Sequence, residues 1–270
     1  MDLGLRGKSA LITGGSRGLG RAMARALAAE GCDVAIAART ASTLESTAAE
    51  LDELGVRSLS LECDVTDRAQ VEAAVSAAAE GFGRLDIVIA NAGGQLRPGL
   101  LDSDDEDWQF TLDINLLHAV RLIRAAVPHL RRQGEAAALI TASITGARVQ
   151  VPAQYGAAKA AQIYLATALA RELAQYDIRV NAISPGSIEF KGGSWGRRRE
   201  QAPEVMAEFA ESQFPFKRLG RPEEIGEVAA FLCSPRASWI TGQSIVVDGG
   251  QMNAGLWSPA ALTGPQGQSA

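Results

Sequence analysis

The stretch SALITGGSRGLG at residues 9–20 decides the fold, because it reads as a buried strand, a glycine-rich turn and the start of a helix. A helical pattern continues from Arg21 to Glu30. Amides at a helix N-terminus point outwards, and glycine lets a phosphate group approach the backbone. The spacing Gly-x-x-x-Gly-x-Gly differs from the general dinucleotide fingerprint, so a tight structural turn is the alternative interpretation. The strand–turn–helix context favours a nucleotide site.

Apolar runs and helical patterns alternate along the rest of the chain. The runs that read as strands are Ser9–Thr13, Asp33–Arg39, Val56–Glu62, Leu85–Ala90, Ala136–Ile140, Ile178–Ile183 and Ser244–Val247. Continuous apolar strands separated by helices indicate a parallel sheet that is covered on both faces. The sequence therefore predicts an α/β fold: a Rossmann-type, doubly wound, mostly parallel sheet of seven strands with helices on both faces. Residues 105–132 read as one long helical tract.

Composition excludes several classes of function. The chain has 270 residues and a formal net charge of −5, so it lacks the basic footprint of a nucleic-acid-binding protein. No apolar run approaches the roughly eighteen residues of a membrane span, and the N-terminal residues lack the apolar core of a secretion signal. The cysteines Cys32, Cys63 and Cys233 have no metal-type spacing, and reduced thiols in a cytoplasmic protein are the simplest account. With His118 and His129 as the imidazoles, neither a metal site nor a serine-hydrolase triad is expected.

The end of the second predicted strand carries a cation where an acid would otherwise be expected. Proteins that select the unphosphorylated dinucleotide usually place a carboxylate there, which binds the ribose 2′-hydroxyl. Here Ala38 and Arg39 occupy the strand end, and Arg17 in the glycine turn can converge on the same corner. Two guanidinium groups suit a 2′-phosphate, although two solvated surface arginines are the alternative. The sequence therefore favours NADP(H) as the cofactor.

A Tyr-x-x-x-Lys motif opens an alanine-rich segment that reaches about Tyr176. On a helix, Tyr155 and Lys159 share a face, and an ammonium beside a phenol lowers its pKa from about 10 towards neutrality. Such a phenol exchanges protons at cellular pH. Ser143 falls where a strand ends, a place where α/β sheets present ligands. Taken alone the motif is common, and a surface tyrosine with a solvated lysine is the alternative interpretation.

The order of these motifs resembles that of the short-chain dehydrogenase/reductase family over about residues 5–250. Thr13–Gly20 is similar to the family's cofactor turn, and Asn91–Gly93 to its motif after the fourth strand. Pro185-Gly186 is similar to the motif after the sixth strand, and Cys63–Val65 to the segment whose aspartate contacts the adenine. Each motif is modest alone, and their shared order carries the resemblance.

The resemblance implies hydride transfer between a nicotinamide and a carbonyl or alcohol carbon. Tyr155 would give its proton to the developing alkoxide, and Ser143 would hydrogen-bond that oxygen. Lys159 would lower the pKa of the phenol and anchor the nicotinamide ribose. Asn115 would position a water molecule that reconnects Lys159 to solvent. These four residues are the predicted catalytic set.

The resemblance also implies a set of cofactor contacts, with one departure from the family's pattern. The predicted contacts are Gly14, Ser16, Arg17, Gly18, Leu19, Gly20, Arg39, Asp64, Val65, Asn91, Ala92, Gly93, Tyr155, Lys159, Pro185, Gly186 and Ile188. Phe190 stands where the family often has a threonine that touches the nicotinamide amide. Either a backbone group or Ser187 makes that contact here, or the nicotinamide is held less tightly.

The substrate is less clear from the sequence. The candidates for substrate contact are Gln95, Val149, Gln150, Phe190 and Trp195. Such a lining suits a hydrophobic ketone, for example a cyclic, aromatic or polyketide-like one, whereas packing of the aromatic rings on each other is the alternative. An NADPH-dependent ketone reductase ranks first. A 3-oxoacyl-thioester reductase and an NAD(P)-dependent alcohol dehydrogenase are alternatives, and an NADP-binding regulator without turnover is the non-enzymatic one.

No linker or internal repeat divides the chain. We expect a single catalytic domain at residues 1–250, with a substrate lid at about 187–217 and a C-terminal extension at 251–270. Small residues crowd the segment that carries Tyr155, so its outer face can meet a second subunit. The family resemblance points to a homo-oligomer, a tetramer or else a dimer, that contains the helices at 105–132 and 152–176. No membrane or nucleic-acid partner is expected.

Overall fold

A seven-stranded parallel sheet forms the centre of the protein in the computed structural model, which describes residues 2–97 and 99–253. The strands are β1 (Ser9–Thr13), β2 (Asp33–Ala38), β3 (Ser58–Glu62), β4 (Ile87–Ala90), β5 (Ala136–Thr141), β6 (Ile178–Pro185) and β7 (Ser244–Val247). Their order in the sheet is β3-β2-β1-β4-β5-β6-β7, and every neighbouring pair is parallel. The predicted fold class is confirmed.

Helices cover both faces of this sheet. They are α1 (Gly18–Ala29), α2 (Ala41–Asp52), α3 (Arg68–Phe82), α4 (Asp105–Leu112), α5 (His118–Leu130), α6 (Ala153–Leu173), α7 (Ser194–Gln201), α8 (Pro203–Gln213) and α9 (Pro222–Cys233). Strand side chains alternate between two cores: Leu11 packs with α3, α5 and α6, whereas Ala10 and Ile12 pack with α1 and α9. Both faces of the strands are therefore buried, as their continuous apolar sequences require.

The predicted helix at 105–132 is interrupted. A π-helical turn at Asp113–Leu117 separates α4 from α5. In this turn the His118 amide donates to the Asp113 carbonyl, so the backbone accommodates one more residue than an α-helical turn does. Such turns are frequent at functional sites, and this one carries Asn115.

The predicted lid is more regular than its sequence indicates. Residues 187–217 contain α7 and α8. A small core forms around Met206, Ala210, Phe214 and Leu219, and Trp195 of α7 packs against it. Pro203 starts α8 at a position where a helix needs no amide donor. The sequence pattern missed these helices because they are short and bury only a few side chains.

The described part of the chain continues as ordered structure just beyond the predicted boundary at residue 250. Residues Gln251–Asn253 form a 3₁₀ turn, and Gln251 is buried. The rest of the predicted extension, residues 254–270, lies outside the described residues. Among the residues described, none of the helices combines the length and apolarity needed to cross a bilayer.

Candidate active site

The candidate site lies at the carboxyl edge of the sheet, where the strand order reverses between β1 and β4. Open α/β sheets bind ligands at this crevice. The Thr13 hydroxyl donates to the Ile89 carbonyl at 3.2 Å and accepts from the Asn91 amide at 3.2 Å. The Asn91 side-chain amide donates to the Gly14 carbonyl at 3.1 Å. These bonds join the ends of β1 and β4.

Because all strands are parallel, the predicted cofactor residues gather at this one edge. They are Gly14, Ser16, Arg17, Gly18, Leu19 and Gly20 after β1, Arg39 after β2, Asp64 and Val65 after β3, Asn91, Ala92 and Gly93 after β4, Pro185 at the end of β6, and Gly186 and Ile188 after it. Ser143 follows β5, and Tyr155 and Lys159 lie on α6.

The glycine turn fits a pyrophosphate. Gly14 and Gly18 have positive φ angles of 64° and 54°, which side chains other than glycine rarely adopt. A Cβ at Gly20 would overlap the Gly14 carbonyl oxygen and approach the Asn91 amide nitrogen to 2.6 Å. No side chain caps the N-terminus of α1, so its first amides are available to an anion. This backbone can therefore approach the phosphates of a dinucleotide closely.

The corner beside β2 is cationic. Arg17 and Arg39 are exposed, and neither takes part in the ion pairs found among the described residues. The Asp64 carboxylate accepts from the Thr66 amide at 2.9 Å and from its hydroxyl at 2.8 Å. These bonds, helped by the nearby charge of Arg39, hold the pKa of Asp64 below its usual range. An anionic carboxylate and a free guanidinium therefore lie near each other beyond β2 and β3.

Gln251 braces the loop after β6. Ser187 is buried, its amide donates to Gln251 Oε1 at 2.8 Å, and its hydroxyl accepts from Gln251 Nε2 at 2.9 Å. The Ser187 hydroxyl accepts this one bond and keeps its own O–H as a donor. The three possibilities for the nicotinamide amide therefore stay open: a contact with a backbone group, a contact with Ser187, or weaker binding.

Phe190 packs against the glycine turn. A Cβ at Gly18 would lie 2.5 Å from the Phe190 ring, and one at Gly193 would lie 2.8 Å from it. The ring therefore lies between two glycine backbones. Glycine is required at position 18 both for its φ angle and for this contact, and the lid segment begins in contact with the predicted phosphate cradle.

A close backbone contact places Ser143 beside Tyr155. A Cβ at Gly146 would lie 2.6 Å from the Lys159 carbonyl carbon, so only glycine lets the turn after β5 pack directly on α6. Ser143 Oγ accepts from the Thr145 amide at 3.1 Å, which starts this turn. Burial raises the pKa of Tyr155 to about 12, and the nearby Ser143 hydroxyl opposes this.

Lys159 is buried beside the Tyr155 ring. Its Nζ donates to the Thr141 carbonyl at 2.8 Å and to Gln162 Oε1 at 2.9 Å, and lies 5.4 Å from the centroid of the Tyr155 ring. Burial lowers the pKa of Lys159 to about 7. The prediction that this ammonium brings the phenol pKa towards neutrality is therefore not met, because desolvation dominates both groups.

Asn115 is fully buried in the π-helical turn. Its Nδ2 donates to the Gly94 carbonyl at 2.6 Å and to the Thr111 carbonyl at 2.8 Å, which anchors the loop after β4. Its backbone carbonyl accepts from Gln162 Nε2 at 2.6 Å.

The predicted substrate residues are spread over the rim and the lid. Gln95 and Val149 are exposed, and Gln150 Oε1 accepts from the Thr145 hydroxyl at 3.2 Å. Trp195 stacks on Phe209, with ring centroids 5.0 Å apart. For Trp195 the alternative interpretation applies, since the ring packs within the lid, and its contact with a substrate stays a prediction.

Comparisons with known proteins identify the family. A family model described as enoyl-(acyl carrier protein) reductase matches residues 14–252. The chain is 37% identical to the isoepoxydon dehydrogenase of Penicillium expansum, over 93% of this chain and 96% of that protein. A short-chain type dehydrogenase/reductase of Mycobacterium marinum superimposes with a TM-score of 0.82 and 35% identity, over 93% of this chain and 97% of that one. The chain belongs to the short-chain dehydrogenase/reductase family.

Another solved member of this family is the L-sorbose reductase of Gluconobacter frateurii in complex with NADPH and L-sorbose. It superimposes with a TM-score of 0.88 and 35% identity, over 93% of this chain and 98% of that one. The chain is accordingly an oxidoreductase that acts on CH–OH or C=O groups with a nicotinamide cofactor. The hypothesis of a regulator without turnover is not retained. Within the described residues, His, Cys, Asp and Glu side chains form no cluster that could hold a metal ion.

Sequence reasoning missed two glutamines at this site. Gln162 joins Lys159 to Asn115, and Gln251 braces Ser187. Hydrophobic periodicity predicts helices and strands, but it does not show which polar side chains bond to each other across the fold. The available signal for Gln162 was its spacing of three residues from Lys159, which places both side chains on one face of a helix.

Proposed function

We propose that this protein is an NADPH-dependent reductase of small hydrophobic ketones. The observation that carries the proposal is the grouping of Ser143, Tyr155 and Lys159 beside the glycine turn. The Ser143 hydroxyl counts among the groups that influence the pKa of the Tyr155 phenol, and the Lys159 Nζ lies 5.4 Å from the centroid of the Tyr155 ring. These groups can orient a carbonyl oxygen and give it a proton.

The nicotinamide, when bound, supplies the hydride. The Ser143 hydroxyl would orient the substrate carbonyl and stabilise the developing alkoxide, a contribution worth a few kcal/mol for a preorganised donor. Tyr155 would transfer its proton to that oxygen. Burial raises the pKa of Tyr155 to about 12, so the phenol carries its proton at neutral pH. This protonation state suits reduction better than oxidation, which needs the phenolate as a base.

The proposed preference for NADPH rests on the cationic corner. Arg17 and Arg39 are exposed beside the predicted ribose site, and Ala38 at the end of β2 supplies no carboxylate. A 2′-phosphate would meet two guanidinium groups there. The L-sorbose reductase, which resembles this chain, was solved with NADPH, and this supports the same choice.

The proposed substrate class rests on the rim. Val149 and Val151 are 100% and 93% exposed in the loop before α6, so apolar groups border the approach to Tyr155. Relatives named for isoepoxydon and L-sorbose favour a small carbonyl compound over a long acyl chain. A 3-oxoacyl-thioester is the second candidate, because the chain is 34% identical to the 3-oxoacyl-[acyl-carrier-protein] reductase of Thermotoga maritima, over 91% of this chain and 98% of that protein.

Turnover tests the proposal directly. NADPH absorbance is followed with a panel of cyclic ketones and with acetoacetyl thioesters. The parent should consume NADPH, whereas Tyr155→Phe should lose at least about a hundredfold in kcat, since a positioned acid contributes about that much. Tyr164→Phe is the matched control, because Tyr164 lies on the same helix and is 77% exposed. Equal rates for the parent and Tyr155→Phe would refute the proposed proton donor, and a preference for thioesters would favour the second candidate.

Cofactor choice is tested by titrating NADPH and NADH. The parent should prefer NADPH, and Arg39→Asp should move the preference towards NADH by about tenfold or more, as expected for the loss of a charge-assisted bond. Arg131→Asp, an exposed site at the end of α5, is the control for net charge. A parent that prefers NADH would contradict the role given to the cationic corner.

Other predictions remain proposals. We infer one catalytic domain with a lid at about 187–217, a homo-oligomer that uses the outer face of α6, and a cytoplasmic location. The buried, unpaired thiols of Cys32, Cys63 and Cys233 are compatible with that location. Light scattering would distinguish a tetramer from a dimer.

A further inference from the structure

Gln162 is a fully buried polar side chain to which the proposed reaction gives no role. It lies on α6 one turn after Lys159, with 0% of its surface exposed. Its Oε1 accepts from Lys159 Nζ at 2.9 Å, and its Nε2 donates to the Asn115 carbonyl at 2.6 Å. Chemistry fixes this orientation of the carboxamide, because an ammonium can only donate and a carbonyl can only accept.

We propose that Gln162 is a positioning residue, whose carboxamide ties the Lys159 ammonium directly to the backbone carbonyl of Asn115. The proposal rests on the role of Lys159 in the proposed function. It assigns to a protein side chain the bridge that was expected of a water molecule.

The Gln162 carboxamide, called the tether below, orients the Lys159 ammonium. The Thr141 carbonyl at 2.8 Å and Gln162 Oε1 at 2.9 Å hold two of its three N–H groups. The third N–H group is free to donate towards the cleft. Gly93 borders that side, since a Cβ on it would lie 3.6 Å from Nζ. Both acceptors are neutral oxygens that stabilise the charged form in a buried site.

The tether also limits how protons move. A carboxamide passes a proton only through its imidic acid form, so it holds Lys159 in place without relaying protons to Asn115. A proton lost from the Tyr155 phenol is therefore replaced from the side of the cleft.

The electrostatic surroundings make this contact measurable. Burial lowers the pKa of Lys159 to about 7. The titratable groups that face it in the described part of the chain are the Tyr155 phenol on α6 and the His118 imidazole on α5. β5 presents the Thr141 carbonyl, and the π-helical turn presents Asn115, both of them neutral. Loss of one acceptor should therefore shift the titration of Lys159 visibly.

The test follows the ¹³Cε shift of Lys159 against pH in the full chain carrying ¹³C-lysine, without substrate. The signal is assigned by its loss in Lys159→Arg. In Gln162→Met the midpoint should fall by about one pH unit, the effect of one hydrogen bond to a charged group. In Gln162→Glu, which has nearly the same shape, it should rise, because a carboxylate favours the ammonium more than an amide oxygen does.

Gln154→Met is the matched control. Gln154 is also a glutamine on α6, 1% exposed, but its amide bonds to the Arg97 carbonyl and lies away from Lys159. Its substitution should leave the Lys159 midpoint unchanged. An unchanged midpoint in either Gln162 variant would overturn the proposal, and each variant tests it independently if the other does not fold.

Kinetics supply the second readout. A fall in the midpoint from about 7 to about 6 reduces the protonated fraction at neutral pH roughly fivefold, so kcat of Gln162→Met should fall by that factor while KM for the ketone changes little. A fall confined to KM would overturn the positioning role. If no ketone is turned over but the midpoints shift as expected, the tether stands and the proposed function fails.

Discussion

Replacing His118 should remove a large part of the acid sensitivity of this fold. His118 is fully buried at the start of α5, with Nε2 3.5 Å from the Thr13 hydroxyl. Burial lowers its pKa from 6.5 to about 3, the ammonium of Lys159 acts in the same direction, and the carbonyls of Ile114 and Asn115 oppose this. Its Nδ1 nevertheless makes no hydrogen bond of good geometry among the described residues. The imidazole is therefore neutral in the folded protein.

The folded and unfolded chains bind different numbers of protons at His118, and this difference sets how stability changes with pH. Between pH 6.5 and about 3 the unfolded chain binds a proton at this histidine and the folded chain does not. The free energy of unfolding that His118 contributes is therefore complete above pH 6.5. It decreases as the pH drops below 6.5, by about 1.4 kcal/mol per pH unit. Lowering the pH from 7 to 5 should cost about 2 kcal/mol, or a Tm decrease of about 5 °C.

The assay is urea unfolding at pH 7 and at pH 5. Carboxylates also contribute to the pH dependence. We therefore compare the decrease in the free energy of unfolding from pH 7 to pH 5 in the parent with the same decrease in His118→Phe, because phenylalanine does not titrate. We expect a difference of about 2 kcal/mol. His129→Phe is the control, since His129 lies partly exposed near the end of the same helix and should leave the loss as in the parent. Equal losses in the parent and His118→Phe would refute the reasoning.

Three further substitutions test the fold and the site. Gly20→Ala should destabilise by about 2 kcal/mol and weaken NADPH binding, because its Cβ overlaps the Gly14 carbonyl; unchanged Tm and fluorescence titrations would contradict this. Gln251→Ala should lower the free energy of unfolding by about 1–3 kcal/mol through loss of both bonds to Ser187, and urea unfolding measures it. Asp86→Ala should cost about 3 kcal/mol, since this buried carboxylate pairs with partly exposed cations; a loss below about 1 kcal/mol would show that the pair is dispensable.

Much of the candidate site could be predicted, because the order of strands and helices and the spacing of residues along a helix place most of its side chains. The order of apolar runs and helices gave the parallel sheet, and parallel strands bring their carboxyl ends to one edge. Ser143 after β5 and the Tyr155–Lys159 pair on α6 follow from that rule and from helical spacing. The π-helical turn and the lid helices were not predicted, because each depends on contacts made by only a few residues.

The protonation states could not be predicted, because they depend on burial. Sequence spacing places Lys159 near Tyr155 and suggests a low phenol pKa, yet desolvation raises the pKa of Tyr155 to about 12 and lowers that of Lys159 to about 7. The cost of desolvation depends on every neighbour of a group, including those distant in sequence.

By itself, the sequence determined the fold class, the glycine turn and the placement of Tyr155 and Lys159 on one helix, because periodicity and turn chemistry act over a few neighbouring residues. Only the tertiary structure decided which groups meet. The Gln162 amide links Lys159 to Asn115, the Phe190 ring packs on Gly18, and Gln251 bonds to Ser187. These contacts join segments far apart in the chain. They depend on hydrogen-bond geometry and excluded volume that exist only once the sheet and its helices have packed.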